Sequence, residues 1–253
     1  YPVLVRGWLE DVQREAHTVC LVGFRSPALP RVEDGECVLA DENIEVVYVH
    51  DDNLGPNARF RIATNAGAIS LVPASPEPRC EKWPSDNPTT TYHELVPTEL
   101  VVAVHPELRT DPLELQRAAV RYAAWLPSVL NHESKQQGAT GQTGMVVGIR
   151  FIRLRHYVER ELASTLRARS PIALSRSRLA LWENVPPMSH HIGLVRVSLG
   201  AEPMMDILFD TSDSDRHLQP TAFVAFRRQV PWLLKRWNDL GEELDLGKLV
   251  RAW

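Results

Sequence analysis

The first eighty residues alternate short apolar runs with turn-forming residues. "HTVCLVGF" (17–24), "IEVVYVH" (44–50), "ARFRIAT" (58–64) and "AISLVP" (68–73) are rich in β-branched and aromatic side chains and read as strands. In the third of these, Phe60 and Ile62 alternate with Arg59 and Arg61, the pattern of a strand with one wet face. "TNAG" (64–67) suits a hairpin between the last two, because Asn and Gly tolerate positive φ. Ahead of them, "RGWLEDVQREA" has the spacing of a short amphipathic helix.

Residues 73–92 hold five prolines and no apolar periodicity, which predicts a semi-extended linker. A strand is expected next over 99–106. A helix follows, with Asp111 as N-cap, Pro112 in its first turn and Glu114 closing a capping box. Its buried stripe is Leu115, Ala118, Ala119, Tyr122 and Trp125/Leu126. After a polar loop (131–144) the pattern predicts a strand from Met145, a helix over 156–169, and strands at 172–182, 192–199, 205–210 and 221–226. A last helix is expected from Pro231. The expected fold is α+β: a small β-rich N-terminal lobe (1–75), a proline-rich linker (76–92), and a mixed-sheet domain (93–253) with helices packed on one side.

Composition changes this picture little. A chain of 253 residues, 44% apolar and 24% charged, can bury a sizeable core, and its net charge of −4 does not by itself call for nucleic acid or an acidic membrane. Four of the 28 basic residues are lysine and the other 24 arginine, a bias that either the codon usage of a GC-rich genome or selection for planar, bidentate ion pairing would produce. The three cysteines Cys20, Cys37 and Cys80 form no CxxC pair and no disulfide framework. No apolar run approaches the length of a membrane span and no signal peptide is visible. The expected setting is cytoplasmic and reducing. His17 and Cys20 have a ligand-like spacing, but a structural zinc site needs four convergent ligands.

The candidate chemistry gathers in "EPMMDILFDTSDSDRHLQP" (202–220). In a strand, Asp206, Leu208 and Asp210 share one face and Ile207 and Phe209 the other. Asp206, Asp210 and His217 would be the catalytic groups of a metal-dependent hydrolase or nuclease. Asp210, Asp213 and Asp215 would hold its Mg²⁺ or Mn²⁺. Asp, Ser and Thr also make turns through their own backbone, and eight arginines between Arg150 and Arg178 face only Glu159 and Glu161. Ion pairing across the sheet is therefore the favoured account of the aspartates. Ser212 stands where a haloacid-dehalogenase-like strand has its second Asp. "GATGQTG" (138–144) lacks the lysine of a P-loop, and Glu133-Ser-Lys135 lies in a polar loop rather than on a nuclease strand. His190 and His191 are adjacent, so in extended chain they point apart.

The favoured function is a non-catalytic, intracellular interaction module, one part of a bacterial multi-protein assembly associated with nucleic acid or defence. Its partner-binding residues are expected to be Arg150, Arg153, Arg155, Arg176 and Arg178, flanked by aromatic side chains, with Trp232 and Trp237 on the last helix. A protein partner or self-association comes first and nucleic acid second; no membrane and no cofactor are expected. The metal-dependent hydrolase is the alternative.

Overall fold

In the computed structural model the described residues are 3–9, 16–25, 37–40, 44–52, 54–65, 67–74, 94–103, 105–123, 126, 144–167, 171–212, 218–238 and 249–252. The side chains of residues 65, 167, 184, 237 and 238 are not among them. The chain divides into two compact units. One comprises Tyr1–Ala28 and Asn43–His105, the other Leu29–Glu42 and Pro106–Trp253.

The first unit is a closed antiparallel barrel of six strands: β1 (Val3–Leu9), β2 (Ala16–Arg25), β4 (Val46–Asp51), β5 (Gly55–Asn65), β6 (Ala68–Pro73) and β7 (Leu95–Val102). Each pairs with the next in the chain, and β7 closes on β1 through Leu4↔Val101 and Trp8↔Val96. Closure removes both sheet edges, so every strand finds two partners. Inward positions supply one core of Val5, Val19, Val47, Val49, Leu54, Ala58, Phe60, Leu71 and Leu95. The expected hairpin is present: Asn65 pairs with Ala68, and Gly67 takes a φ of 84° that favours glycine.

Two expectations change here. Residues 6–9, the start of the expected amphipathic helix (6–16), belong to strand β1, and Ala16 at its end opens β2; residues 10–15 between them lie outside the described residues. The β-branched Val3 and Val5 suit a strand, and the pairing partners on both sides override the helical spacing. Strand β7 begins at Leu95 and belongs to the barrel, so this unit extends past the proline-rich stretch. Positions 76–92 lie outside the described residues.

The second unit is built on a six-stranded sheet in the order β12-β11-β10-β9-β8-β3. Its strands are β3 (Cys37–Leu39), β8 (Met145–Arg153), β9 (His191–Leu199), β10 (Glu202–Asp210), β11 (Ala222–Ala225) and β12 (Leu249–Arg251). The middle four are an antiparallel meander, while β3 runs parallel to β8 and β12 parallel to β11. Helix α1 (Pro112–Ala123) starts with the expected box: the Leu113 amide donates to Asp111 Oδ1 at 2.7 Å, and the Asp111 amide to Glu114 Oε2 at 3.4 Å. Helix α2 follows β8 directly as Leu154–His156, Tyr157–Glu161 and Leu162–Arg167. It widens in the middle, where the Leu162 amide bonds Tyr157 O, five residues back. Helices α3 (Pro171–Asn184) and α4 (Val230–Asn238) complete the unit.

Helices cover both faces of this sheet, which corrects the one-sided arrangement. Val147, Val195, Ile207, Phe209 and Phe223 pack with Leu115 and Tyr122 of α1 and Leu233 and Leu234 of α4. The alternate residues Ile192, Leu194, Leu208, Ala222 and Val224 pack with Tyr157, Leu162 and Leu166 of α2 and Leu174 and Leu181 of α3. Strands β9, β10 and β11 are therefore buried almost without interruption, as central strands of a three-layer unit must be. The segment 172–182 is likewise part of helix α3 rather than a strand. Pro171 opens it, Ala, Leu and Arg dominate it, and the Ser177 hydroxyl donates back to Ala173 O at 2.8 Å. Among the described residues no helix is long and apolar enough to cross a membrane.

Candidate functional site

Asp206 lies at the centre of β10, fully buried on the α2 side of the sheet. Directly opposite it on β9 is Arg196. The guanidinium donates twice: Nε to Oδ1 at 2.8 Å and Nη2 to Oδ2 at 2.8 Å. The Tyr157 hydroxyl, delivered by the widened turn of α2, donates to Oδ2 at 3.0 Å. Arg196 Nη1 continues to Glu161 Oε2 at 3.1 Å, and Glu161 also receives both Nη atoms of Arg150, at 3.1 and 3.3 Å. The result is one chain of alternating charge, Asp206–Arg196–Glu161–Arg150, leading from the core to the surface. Burial pushes the Tyr157 hydroxyl far up, and the Asp206 carboxylate adds to that. Burial pulls Arg196 down, but the bonds and charge of Asp206 more than reverse it and hold the guanidinium charged.

Both Asp206 oxygens are thus taken up by protein donors, in a fork geometry that arginine alone provides. This is cross-strand ion pairing of the sort expected, with a partner that the arginine-rich stretch 150–178 did not include.

Asp210 performs a different task. Its Oδ1 accepts from the Ser212 amide at 2.9 Å, the Ser212 hydroxyl at 2.8 Å and the Ser189 amide at 3.4 Å. Burial alone would raise its pKa. The Ser212 and Ser189 groups outweigh that and hold the carboxyl below its ordinary range. The neighbouring Thr211 hydroxyl donates to His191 O at 2.6 Å, and the Thr211 carbonyl accepts from the Arg109 and Thr110 amides. The start of the acidic segment is a turn that ties the end of β10 to the chain before β9 and before α1. Asp213, Asp215 and His217 lie outside the described residues.

The arginines divide by what they touch. Arg150 is held by Glu161, Arg155 by Glu159 at 2.8 Å, and Arg178 donates Nε and Nη2 to Val158 O at 3.3 and 3.1 Å. Arg178 thereby satisfies a carbonyl of the widened turn in α2. Arg153 and Arg176 stand exposed. A continuous phosphate-tracking stripe would need the three engaged side chains to leave their present partners.

The outer face of α3 is unlike an ordinary solvated helix face. Ile172, Leu179 and Trp182 are 64%, 55% and 87% exposed and fall on one stripe by helical spacing, with Arg176 between them. The opposite stripe, Leu174, Leu181 and the small Ala173 and Ser177, is buried. The helix is therefore apolar on two sides, only one of which meets its own unit. Trp232 of α4 is exposed, and the Trp237 side chain is outside the described set.

A second cluster of polar side chains occurs in the barrel. His17 Nε2 lies 2.9 Å from Asp51 Oδ2 and 3.5 Å from Asp52 Oδ1. The Leu54 amide donates to Asp51 Oδ1 at 2.8 Å, which fixes the carboxylate with its other oxygen towards the imidazole. The Asp51 bond raises the His17 pKa, burial opposes it, and the charges of Asp51 and Asp52 reinforce the rise. The spacing of three from His17 to Cys20 is odd, so in a strand the two side chains point to opposite faces. Cys20 instead pairs across the sheet with His50. Both line a surface cavity of about 480 Å³ that also reaches Asp51 and Asp52.

No family model matches this chain, and neither the curated proteins nor the solved structures contain a significant match to it.

Proposed function

We propose that the chain is a non-catalytic, intracellular interaction module that docks a protein partner, as one part of a multi-protein assembly, through the outer face of α3. The observation that carries this reading is Trp182, 87% exposed, in line with Leu179 and Ile172. Tryptophan and leucine left in water on one stripe forgo roughly 1.5–3 kcal/mol each of burial, a cost that a partner surface recovers. Arg176, in the same stripe, selects a partner that sets a carboxylate among its apolar side chains. The reading is further supported by the Asp206 carboxylate, whose oxygens are both held by Arg196 and Tyr157.

The test compares the native chain with Trp182→Glu in sedimentation velocity and in affinity capture from its own host. The substitution lies at the surface, so its melting temperature should match the native one within a degree or two. The expected result is a complex or self-associated species for the native chain that Trp182→Glu no longer forms. A native chain that stays monomeric and retrieves the same proteins as Trp182→Glu overturns the proposal.

A further inference from the structure

The barrel presents a constellation that the interaction surface on α3 does not use. His17 comes from β2, Asp51 is the last residue of β4, and Asp52 follows it in the turn towards β5. Residues 17 and 51 share the inward parity of Val19 and Val49, so the imidazole and one carboxylate sit at the rim of the barrel core. Asp52 is 81% exposed and reaches the same point from the solvent side.

We propose that His17, Asp51 and Asp52 form a binding site for a single Zn²⁺ ion, with water completing its coordination. Ligand atoms at 2.0–2.2 Å from a tetrahedral zinc stand about 3.3–3.5 Å apart. The His17–Asp52 separation of 3.5 Å already has that value, and the His17–Asp51 separation of 2.9 Å needs to open by only a few tenths of an ångström. One atom from each of the three side chains lies within 4.8 Å of the others. The donor set is one imidazole and two carboxylates, which suits zinc better than the all-oxygen shells that magnesium and calcium prefer. The amide of Leu54 holds the free oxygen of Asp51, the kind of outer bond that orients a ligating carboxylate. Asp52 is mostly exposed, so the cluster is open to solvent on that side, which gives the ion a path and room for its water.

Isothermal titration of the intact chain with ZnCl₂ at neutral pH tests this. One equivalent should bind with a micromolar or tighter Kd. Asp52→Asn should weaken binding at least tenfold, and His17→Gln should abolish it. Asp52 is exposed, so its substitution leaves the fold intact and keeps the test readable if His17→Gln disturbs the barrel rim; circular dichroism of each variant checks this. Millimolar Mg²⁺ should not compete. Three results would overturn the site: no zinc heat from the folded native chain, equal binding by the native chain and Asp52→Asn, or displacement of zinc by millimolar Mg²⁺.

Discussion

The barrel and the three-layer unit solve the same problem of burying a sheet in opposite ways. The barrel closes on itself, so each strand keeps one face inside and one outside, and its core is a single cluster around Val49, Phe60 and Leu95. The second unit leaves its sheet open and covers it twice, so β9 to β11 have no outside face at all. A polar residue on a barrel strand can turn to water. One on β10 cannot, and Asp206 survives there only because Arg196 and Tyr157 meet it. A buried charge without a partner costs several kcal/mol, whereas the paired arrangement is close to neutral.

The largest test of this contrast removes the partner. Arg196→Met should destabilise the three-layer unit by about 3–5 kcal/mol, because Asp206 is left charged and dry. Urea unfolding followed by hydrogen exchange should register the loss in β8–β11 and leave barrel amides unchanged. The double variant Arg196→Met/Asp206→Leu should recover much of it. Equal loss in both variants would mean that the pair contributes more than neutralisation.

The matching break in the barrel is geometric. A Cβ at Gly7 would sit 2.2 Å from Val96 O on the paired strand, where backbone cannot yield cheaply. β1 and β7 shift register just there, between Arg6 and Gly7. Gly7→Ala should cost about 3 kcal/mol by thermal melting, at the upper end of overpacking effects, and should loosen β1 and β7 while sparing β9 and β10.

The smallest effect belongs to Asp210, where the second unit reaches its surface. Its folded pKa is depressed, so its contribution is fully present above the unfolded value of about 3.9 and is lost as pH falls through the folded one. Asp210→Asn should lower stability by about 1 kcal/mol at neutral pH, with the difference from the native chain shrinking towards pH 3 in urea titrations. A difference that does not change with pH would assign the loss to geometry rather than charge.

The sequence showed most barrel strands plainly, because alternation survives where one face is wet. It concealed β1, whose Arg6, Gly7, Trp8 and Leu9 also fit a helical spacing until strand partners are known on both sides. It concealed α3 for the reason that makes α3 interesting. Ile172, Leu179 and Trp182 on one side and Leu174 and Leu181 on the other cancel the single apolar stripe by which a helix is recognised. The capping box of α1 needed no tertiary context and was readable in full.

Arg196 was out of reach for a subtler cause. Leu199 pairs with Glu202, and a plain continuation of that hairpin would set Arg196 against Met205. The irregularity between Pro203 and Met205 moves the register by one, so that Arg196 meets Asp206 on the same face. No periodicity announces such a slip. The opening of the acidic segment is now accounted for twice over, as core ion pair at Asp206 and as turn at Asp210.

The short strand β3 lies, in chain order, between two strands of the barrel, yet hydrogen-bonds to β8 from Cys37 to Leu39. Neither unit is therefore a contiguous piece of polypeptide. A gene cut within the proline-rich stretch would strip β7 from one product and β3 from the other, leaving an unclosed cylinder and a bare sheet margin. During translation β3 leaves the ribosome about a hundred residues ahead of the strand it flanks, so its pairing must wait until the second half of the chain has been made.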